Sequence, residues 1–369
     1  MYSERKNLVS NLKIFLSIIF ILLLVGTIFI YSASSVFAME RFGSAIYFVK
    51  KQLIGVLLGF IAMFIISILP INLIKKFVPL IFFCALILTA FTLVPSLSQQ
   101  IHGSRRWLSL LGFTFQPSEI LKYALIVYVA FLLDKKSHQR LSFLNSYFPL
   151  LLILGISAGI LLKQPDFGLA VALFVTVFIL LFIAKFRTKY LFLTLLFAIP
   201  TAFALIFFKK YRLKRILTFL NPWDDPQGAG FQIIQSLIAI GSGGFSGIGI
   251  SNSKQKFFYL PMQHTDFIFS IIAEETGLFG SAILILLFVL FLFFGLKIAW
   301  KFNDNFYVFS TLGFVILISL QGLINLSVAI GIFPTKGIGL PFVSYGNSSL
   351  ICSLAMVGLI INFVRNYRN

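Results

Sequence analysis

The chain has 369 residues, of which 59% are hydrophobic, 17% aromatic and 11% charged. The mean hydropathy of +1.00 excludes an ordinary soluble domain, which needs polar surface to cover its core. The aromatic content excludes a disordered chain. A formal net charge of +19 suggests nucleic-acid binding in a soluble protein. Here the Lys and Arg residues mostly lie in short segments between apolar runs, which is typical of a polytopic membrane protein without a nucleic-acid partner.

Ten apolar stretches approach the roughly 20 residues that a helix needs to cross a bilayer. They predict membrane-spanning helices at about 13–32, 51–69, 77–95, 117–133, 147–163, 168–184, 190–208, 267–296, 307–333 and 348–364. The predicted fold class is an all-α polytopic membrane protein, with 1–369 forming a single membrane domain. The first apolar run is too long for the core of a signal peptide, so we expect a retained helix.

The distribution of Lys and Arg predicts the orientation of the chain. The short connections on the side of the N-terminus carry most of these residues, which places that side in the cytoplasm, and an even number of helices places the C-terminus there too. The long connection 209–266 between helices seven and eight then lies outside the cell. Within it, the apolar segment 231–240 is too short to span a bilayer, which favours a re-entrant or interfacial helix.

Metal-binding and disulfide patterns are not evident. Cys84 and Cys352 both lie inside long apolar runs, where cysteine usually behaves as a small buried hydrophobe. His102, His138 and His264 have no metal-ligand spacing. The sequence therefore predicts no metal site built from side chains.

Carboxylates at membrane depth are costly and therefore suggest function. Five are predicted there: Glu119, Asp166, Asp266, Glu274 and Glu275. Glu119 and Lys122 are three residues apart on one helix face, as in a structural ion pair, although a direct role in substrate handling is also open. Asp166 either caps the following helix or contributes to function. Asp266, at the outer end of the eighth helix, is either catalytic or a favourable charge at a helix N-terminus.

Several motifs occur in order from about residue 15 to 364. They are Gly103-Ser-Arg-Arg-Trp107, Gln116-Pro-Ser-Glu-Ile-Leu-Lys122, Gln164-Pro-Asp-Phe-Gly168, Asn221-Pro-Trp-Asp-Asp-Pro226 with Gly230-Phe-Gln232 and Gln235-Ser236, Leu260-Pro261 with His264-Thr-Asp-Phe-Ile-Phe269, and Phe333-Pro-Thr-Lys-Gly337 with Leu340-Pro-Phe-Val-Ser-Tyr-Gly346. Together they resemble the SEDS (shape, elongation, division and sporulation) family over nearly the whole chain. The segment 334–337 resembles division members more than rod-elongation members.

The resemblance implies a ten-helix peptidoglycan glycosyltransferase. Such an enzyme polymerises lipid II, a disaccharide-pentapeptide on undecaprenyl pyrophosphate, into β-1,4 glycan strands at the outer face of the cytoplasmic membrane, here during septal cell-wall synthesis. The resemblance also implies a class B penicillin-binding protein transpeptidase and other division proteins as partners. The family's essential aspartate falls on Asp266.

The implied reaction turns an α-linked phosphate into a β-glycoside, so it inverts the anomeric carbon in a single displacement. That step needs a base for the attacking hydroxyl and positive charge at the leaving pyrophosphate. We predict Asp266 as the base, and Arg105, Arg106, Arg212 and Lys336 as the cations. Further predicted substrate contacts are Glu119, Lys122, Asp166, His264, Thr265 and Ser344. A divalent Mg or Mn ion can share the charge of the pyrophosphate, but no ligand cluster requires one.

Three alternatives stay open at this point. A lipid II flippase would account for ionisable residues inside the membrane. A rod-elongation polymerase would share the chemistry but act at another place in the cell. A non-catalytic scaffold of the division machinery would need no active site.

Overall fold

The computed structural model describes residues 2–101, 104–110, 113–135, 142–255, 263–335 and 337–367. Within these ranges, each of the ten predicted spans corresponds to a helix. These helices are α1 (Tyr2–Phe42), α2 (Tyr47–Ile68), α3 (Ile71–Phe91), α4 (Pro117–Lys135), α5 (Phe148–Lys163), α6 (Phe167–Ile183), α7 (Thr188–Phe207), α10 (Ile268–Ala299), α11 (Asn305–Ala329) and α12 (Asn347–Arg365). The prediction of an all-α polytopic membrane protein is therefore confirmed.

Eight helices of the described ranges are long and apolar enough to cross a membrane. Of the ten, α6 is short, with 17 residues, and α4 carries two acidic and two basic side chains. Leu57, Phe64 and Phe197 are exposed by 62%, 64% and 71%. Large apolar side chains at such exposure are expected where a helix faces lipid rather than water. The chain is a multi-pass membrane protein.

The centre of the bundle is α11, which packs against α4, α6 and α10 and buries most of its side chains. Around it, α1 packs against α10, and α2 packs against α12. Gly26 allows α1 to lie directly on the segment that precedes α12, because a Cβ at this position would be 2.7 Å from the Cα of Val343. These contacts fix the segment before α12 between two helices.

Helix α10 bends at Gly277, which has φ 66° and ψ −159°. The glycine-rich segment 241–249 crosses α10 at this bend, and a Cβ on Gly277 would collide with the backbone nitrogen of Gly247. The carbonyl oxygen of Glu274, freed by the bend, accepts a hydrogen bond from the backbone nitrogen of Ile248 at 3.1 Å. Glycine is needed here because only it combines the left-handed φ with so close an approach.

A small sheet that the sequence analysis did not predict connects α3 to α4. It contains the antiparallel strands β1 (Ser98–Ile101), β2 (Ser104–Leu110) and β3 (Phe113–Phe115), in the order β1-β2-β3. With four, seven and three residues, the strands are too short for an alternating pattern to be distinctive. Strand β2 carries Arg105 and Arg106.

The connection 209–266 contains two α-helices in its described part, with a short 3-10 helix (Pro222–Asp224) between them. Helix α9 (Phe231–Gly243) confirms the short apolar helix predicted there. Helix α8 (Lys210–Leu220) is not predicted by the sequence, because its basic residues are also typical of a loop. Its sequence, KYRLKRILTFL, places cations and large apolar side chains at helical spacing, which suits a helix lying in a membrane interface.

Candidate active site

A cavity of about 1190 Å³ opens between β2, the start of α4 and the segments that precede α6, α10 and α12. Eight of the eleven predicted site residues line it, although they are spread over 238 positions of sequence numbering from Arg106 to Ser344. They are Arg106, Glu119, Lys122, Asp166, His264, Thr265, Asp266 and Ser344. The fold therefore brings the predicted candidates together around one space.

Asp266 lies in the turn just before α10, at the wall of this cavity. Gly337 lies beside its carboxylate, since a Cβ placed on this glycine would be 3.5 Å from Oδ2. Burial raises the pKa of Asp266 to about 6. The positive charges of Arg106 and Arg215 lower this pKa, whereas the negative charge of Asp166 raises it. A carboxylate with this pKa is ionised at pH 7 yet more basic than usual, which suits a general base.

Hydrogen bonds join the turn containing Asp266 to the segment before α12. The backbone nitrogen of Tyr345 donates to the carbonyl oxygen of His264 at 3.0 Å. The Ser344 hydroxyl donates to the carbonyl oxygen of Thr265 at 2.5 Å and accepts from the backbone nitrogen of Leu340 at 2.7 Å. Ser344 therefore positions the backbone beside Asp266, and its predicted contact with substrate stays a prediction.

Asn325, on α11, also forms hydrogen bonds with these two segments. Its buried side-chain nitrogen donates to the carbonyl oxygens of Asp266 and Ile338, at 2.7 and 2.8 Å. One amide group thus fixes the backbone of both segments relative to the central helix of the bundle. Asn325 could not be predicted from the sequence, since a single polar residue in an apolar span gives no distinctive signal.

Arg106 holds the turn between α5 and α6. Its Nε donates to the carbonyl oxygen of Gln164 at 3.0 Å, one terminal nitrogen donates to that of Pro165 at 2.5 Å, and the other lies 3.4 Å from Asp166 Oδ2. Asp166 in turn accepts from the backbone nitrogen of Leu169 at 3.3 Å. The capping role of Asp166 is therefore confirmed. Burial raises its pKa, while the charge of Arg106 lowers it.

The Glu119–Lys122 ion pair is also confirmed. The Lys122 Nζ lies 2.5 Å from Glu119 Oε2, and the lysine side chain is only 1% exposed. The same nitrogen donates to Gln321 Oε1 at 3.3 Å and to the Ser349 hydroxyl at 3.4 Å. Lys122 therefore ties α4 to α11 and α12. Because both charged groups line the cavity, their direct role in substrate handling stays a prediction.

A smaller recess of about 150 Å³ adjoins the cavity. Arg106, Arg212 and Arg215 line it together with apolar side chains such as Ile206 and Phe333. The recess also shares Asp166 with the main cavity. Three guanidinium groups beside an apolar wall suit an anionic head group that carries a hydrocarbon chain.

The predicted cations have different positions. Arg212 is buried, donates to the carbonyl oxygen of Leu205 at 2.8 Å and lies over the ring of Phe167. It therefore anchors α8 to the end of α7 as well as lining the recess. Arg105 lines neither the cavity nor the recess. Arg215, which the sequence analysis missed, lines both; its three-residue spacing from Arg212 on a helix would have indicated it.

Aromatic side chains form another part of the wall that the sequence analysis missed. The ring of Phe48 lies 4.4 Å from that of His264 and 5.1 Å from that of Tyr345. Phe37 and Tyr47 line the same side of the cavity. Burial lowers the pKa of His264 to about 4, so this histidine is neutral at pH 7 and belongs to the aromatic wall.

Glu274 and Glu275 do not line either space; they bind the connection that precedes α10. Glu274 accepts hydrogen bonds from the Ser253 hydroxyl and, at 3.1 Å, from the backbone nitrogen of Lys254. Glu275 accepts from the backbone nitrogen of Ser253 at 3.3 Å and from the Ser32 hydroxyl at 2.5 Å. Glu274 and one oxygen of Glu275 thus accept hydrogen bonds from loop and helix donors, and neither carboxylate lines the cavity.

A metal ion held by side chains does not fit the described part of this site. No three His, Cys, Asp or Glu side chains come together among the residues that the structure describes. Of the cavity carboxylates, Asp166 is paired with Arg106 and Glu119 with Lys122. The predictions for His102, His138 and Lys336 fall outside the described residues.

The chain is similar to known proteins over most of its length. The family model described as cell cycle protein, for FtsW, RodA and SpoVE, matches residues 13–369. A probable peptidoglycan glycosyltransferase FtsW from Geobacter sp. (strain M18) is 42% identical over 337 residues, covering 91% of this chain and 92% of the relative. Stage V sporulation protein E of Bacillus subtilis (strain 168) is 38% identical over 348 residues, covering 94% and 95%.

A solved structure shares the fold. It is a chain from a structure described as the coordination of polymerization and crosslinking by a peptidoglycan synthase complex. The similarity has a TM-score of 0.78 at 30% identity and covers 95% of this chain and 97% of that one. With the family model matched over nearly its whole length, the chain belongs to the FtsW, RodA and SpoVE family of cell cycle proteins.

Proposed function

We propose that this chain is a peptidoglycan glycosyltransferase that polymerises lipid II into β-1,4 glycan strands. The activity is that named for its FtsW relatives. The observation that carries the proposal is the position of Asp266, a carboxylate of raised pKa at the wall of a cavity that also holds Arg106. This pairs a base with a cation in one space, as glycosyl transfer from a diphosphate requires.

In the proposed reaction, the Asp266 carboxylate takes the proton of the 4-hydroxyl of the acceptor N-acetylglucosamine. The hydroxyl oxygen attacks the anomeric carbon of the donor N-acetylmuramic acid from the face opposite the diphosphate. As the new carbon–oxygen bond forms, the bond to the diphosphate oxygen breaks and its electron pair leaves with the lipid diphosphate. The anomeric configuration is therefore inverted, and the proton resides on Asp266 until solvent removes it.

The charge of the departing diphosphate requires stabilisation. Arg106, Arg212 and Arg215 line the recess beside Asp266, and guanidinium groups bind phosphate oxygens through charge-assisted, often paired hydrogen bonds. The apolar side chains of the same recess, including Ile216 and Phe333, suit the first part of a polyprenyl chain. A Mg or Mn ion brought by the diphosphate itself would add positive charge, and assays with and without EDTA test that requirement.

We place the protein in the bacterial cytoplasmic membrane with both termini in the cytoplasm and the cavity facing outward. The excess of Lys and Arg in the short connections on the side of the termini supports this orientation. A periplasm-dependent reporter fused after residue 250 should be active, and one fused after residue 185 or 369 should be silent. The opposite pattern would place Asp266 on the wrong side for lipid II polymerisation.

We also propose that the protein works with a class B penicillin-binding protein transpeptidase at the division septum. The similarity to a chain of a peptidoglycan synthase complex supports a crosslinking partner, and the FtsW relatives support the division role. Depletion of the protein should therefore produce filaments. Rounded cells without a division defect would instead indicate a rod-elongation role.

Purified protein and labelled lipid II test the activity itself. A ladder of glycan strands, made with or without the transpeptidase and absent with Asp266→Asn, would support the proposal. Movement of lipid II across vesicle membranes without a ladder would identify a flippase. Neither activity, in a protein that still binds its partner, would identify a scaffold.

A further inference from the structure

The cavity has two chemically different ends. One is the aromatic end, which we define as Phe37, Phe42, Tyr47, Phe48 and Tyr345. Its rings are in mutual contact: Phe42 stacks on Tyr47 at 4.0 Å between centroids, and Phe48 meets Tyr345 edge-on at 5.1 Å. The end of α1, the start of α2 and the segment before α12 thus contribute to one continuous aromatic surface.

The other end is the arginine recess, lined by Arg106, Arg212 and Arg215. None of the five residues of the aromatic end lines this recess. The aromatic end and the recess are therefore lined by different residues, although the recess shares Arg106 and Arg215 with the main cavity.

Asp266 is connected to both ends. On one side, the charges of Arg106 and Arg215 are close enough to lower its pKa. On the other side, it follows His264 by two residues, and the His264 ring lies against Phe48 at 4.4 Å. The carboxylate therefore lines the same cavity as the aromatic end and as Arg106 and Arg215.

The aromatic end is accessible to a ligand. Phe42 is 43% exposed, and Tyr47 and Tyr345 are partly exposed. Two cations border the surface: the Lys51 Nζ donates to the Tyr47 hydroxyl at 2.6 Å, and Arg41 lies over the Phe37 ring at 5.7 Å. Rings with polar groups at their edges are typical of surfaces that bind amphipathic ligands.

We propose that the aromatic end binds the sugar that carries the attacking hydroxyl, while the arginine recess binds the leaving diphosphate. This inference rests on the proposed glycosyltransferase function. A pyranose ring presents C–H groups on its faces, which pack against the electron-rich faces of aromatic rings, and hydroxyl groups at its edge. A diphosphate gains more from the three guanidinium groups that line the recess than from the aromatic end, where the cations Arg41 and Lys51 already lie over the rings of Phe37 and Tyr47.

The geometry of the displacement supports the same division. The attacking oxygen and the leaving oxygen must lie on opposite sides of the anomeric carbon. An acceptor site and a leaving-group site in different parts of the site, with the base in the cavity that both adjoin, satisfy this requirement. The acceptor hydroxyl then reaches Asp266 from the aromatic end.

A single-transfer assay with separate donor and acceptor tests the division. The donor is lipid II in which the 4-hydroxyl of N-acetylglucosamine is replaced by hydrogen, so that it cannot accept. The acceptor is a soluble β-1,4-linked tetrasaccharide-peptide with a blocked reducing end, so that it cannot donate. KM is then measured for each substrate with the full-length protein and its variants Phe42→Ala, Tyr345→Ala and Arg215→Ala.

Loss of one stacking ring should raise the acceptor KM by roughly twofold to tenfold and leave the donor KM unchanged. Arg215→Ala should do the reverse. Phe64→Ala is the matched control, because Phe64 is also an exposed phenylalanine of the α1–α2 region but does not line the cavity. Because Phe42 is exposed, the Phe42→Ala protein should still fold. Its KM values therefore test the inference even if the Tyr345→Ala protein accumulates poorly.

Two results would overturn the inference. One is an increase in donor KM, with acceptor KM unchanged, in Phe42→Ala. The other is no change in either KM. Failure of the wild-type protein to polymerise unmodified lipid II would instead overturn the proposed function, so the two failures are distinguishable.

Discussion

The side-chain nitrogen of Asn325 lies 2.7 Å from the carbonyl oxygen of Asp266 and donates a hydrogen bond to it. The same nitrogen donates to the carbonyl oxygen of Ile338 at 2.8 Å. The proposed base is therefore held in place through its backbone, while its carboxylate remains available for the cavity. Asn325 acts as a positioning residue.

Asn325→Asp should reduce polymerisation, because a carboxylate of the same shape would face two carbonyl oxygens with no hydrogen to donate. A displacement of about 1 Å at the base is enough to lower the rate by roughly 100-fold. The loss should appear in kcat, with little change in the KM of either substrate. Thermal unfolding in detergent measures the stability of the variant. An Asn325→Asp protein with normal activity would show that the two hydrogen bonds from Asn325 do not position Asp266.

Asp266→Asn should lower glycan polymerisation by roughly 10²–10⁴-fold, the usual contribution of a general base. The same change should not destabilise the protein at pH 7. Burial raises the pKa of Asp266 in the folded protein to about 6, from 3.8. As the pH rises, the unfolded chain therefore loses this proton before the folded protein does. The free energy of unfolding should fall accordingly between about pH 4 and pH 6. Asn avoids that cost, and its melting temperature should equal or exceed that of the wild type. Near-normal activity of Asp266→Asn would exclude the base role.

The rate should depend on pH through the same group. Since the pKa of Asp266 is about 6, the fraction of ionised base should fall about tenfold between pH 7 and pH 5, and the single-turnover rate should fall with it. His264 has its pKa lowered to about 4 by burial and should not contribute to this limb. A rate that is constant down to pH 4.5 would contradict the assignment.

Arg105 and Arg106 provide a matched pair of adjacent arginines on one strand. Arg106 lines the cavity and binds Gln164, Pro165 and Asp166, whereas Arg105 lines neither space. Arg106→Ala should therefore abolish most activity and leave Asp166 as a buried, unpaired carboxylate, which is costly. Arg105→Ala should retain activity within a few-fold. Polymerisation activity is measured with lipid II in vesicles. Equal losses of activity in Arg105→Ala and Arg106→Ala would show that the position of an arginine along β2 does not determine its role in the reaction.

The Glu119–Lys122 pair should behave as a coupled unit. Breaking a buried ion pair from one side typically costs about 3–5 kcal/mol because the remaining charge is unpaired. Glu119→Gln and Lys122→Met should each lower protein level and melting temperature, and the double variant should recover part of the loss. Single variants that fold normally yet make no glycan would instead show that the two groups handle substrate directly.

The helices could be predicted from the sequence because a membrane span needs about 20 apolar residues, a signal that short strands do not give. The strand that carries Arg106 was missed for that reason, and so was α8 with Arg215. The polar site residues could be proposed individually because a charge at membrane depth is rare. Ion pairing within one helix, as between Glu119 and Lys122, follows from spacing alone.

Contacts between distant segments could not be predicted in this way. Nothing in the sequence pairs Lys122 with Gln321 and Ser349, or Ser344 with Thr265, because these contacts depend on how whole helices pack. The aromatic end was missed for a different reason. In a chain with 46 phenylalanines, a ring that lines a cavity cannot be distinguished from one that faces lipid.

Helix α1 has a further consequence through its length. With 41 residues, it is about 61 Å long at 1.5 Å per residue, twice the roughly 30 Å of hydrocarbon in a bilayer. Its apolar run 13–32 matches the hydrocarbon, so residues 33–42 extend the helix by about 15 Å beyond it. The length of the helix therefore sets the distance of Phe37 and Phe42 from the hydrocarbon region of the bilayer. Deleting residues 33–36 would shorten the helix by about 6 Å, so that Phe37 and Phe42 would lie closer to the lipid head groups and would point in another direction.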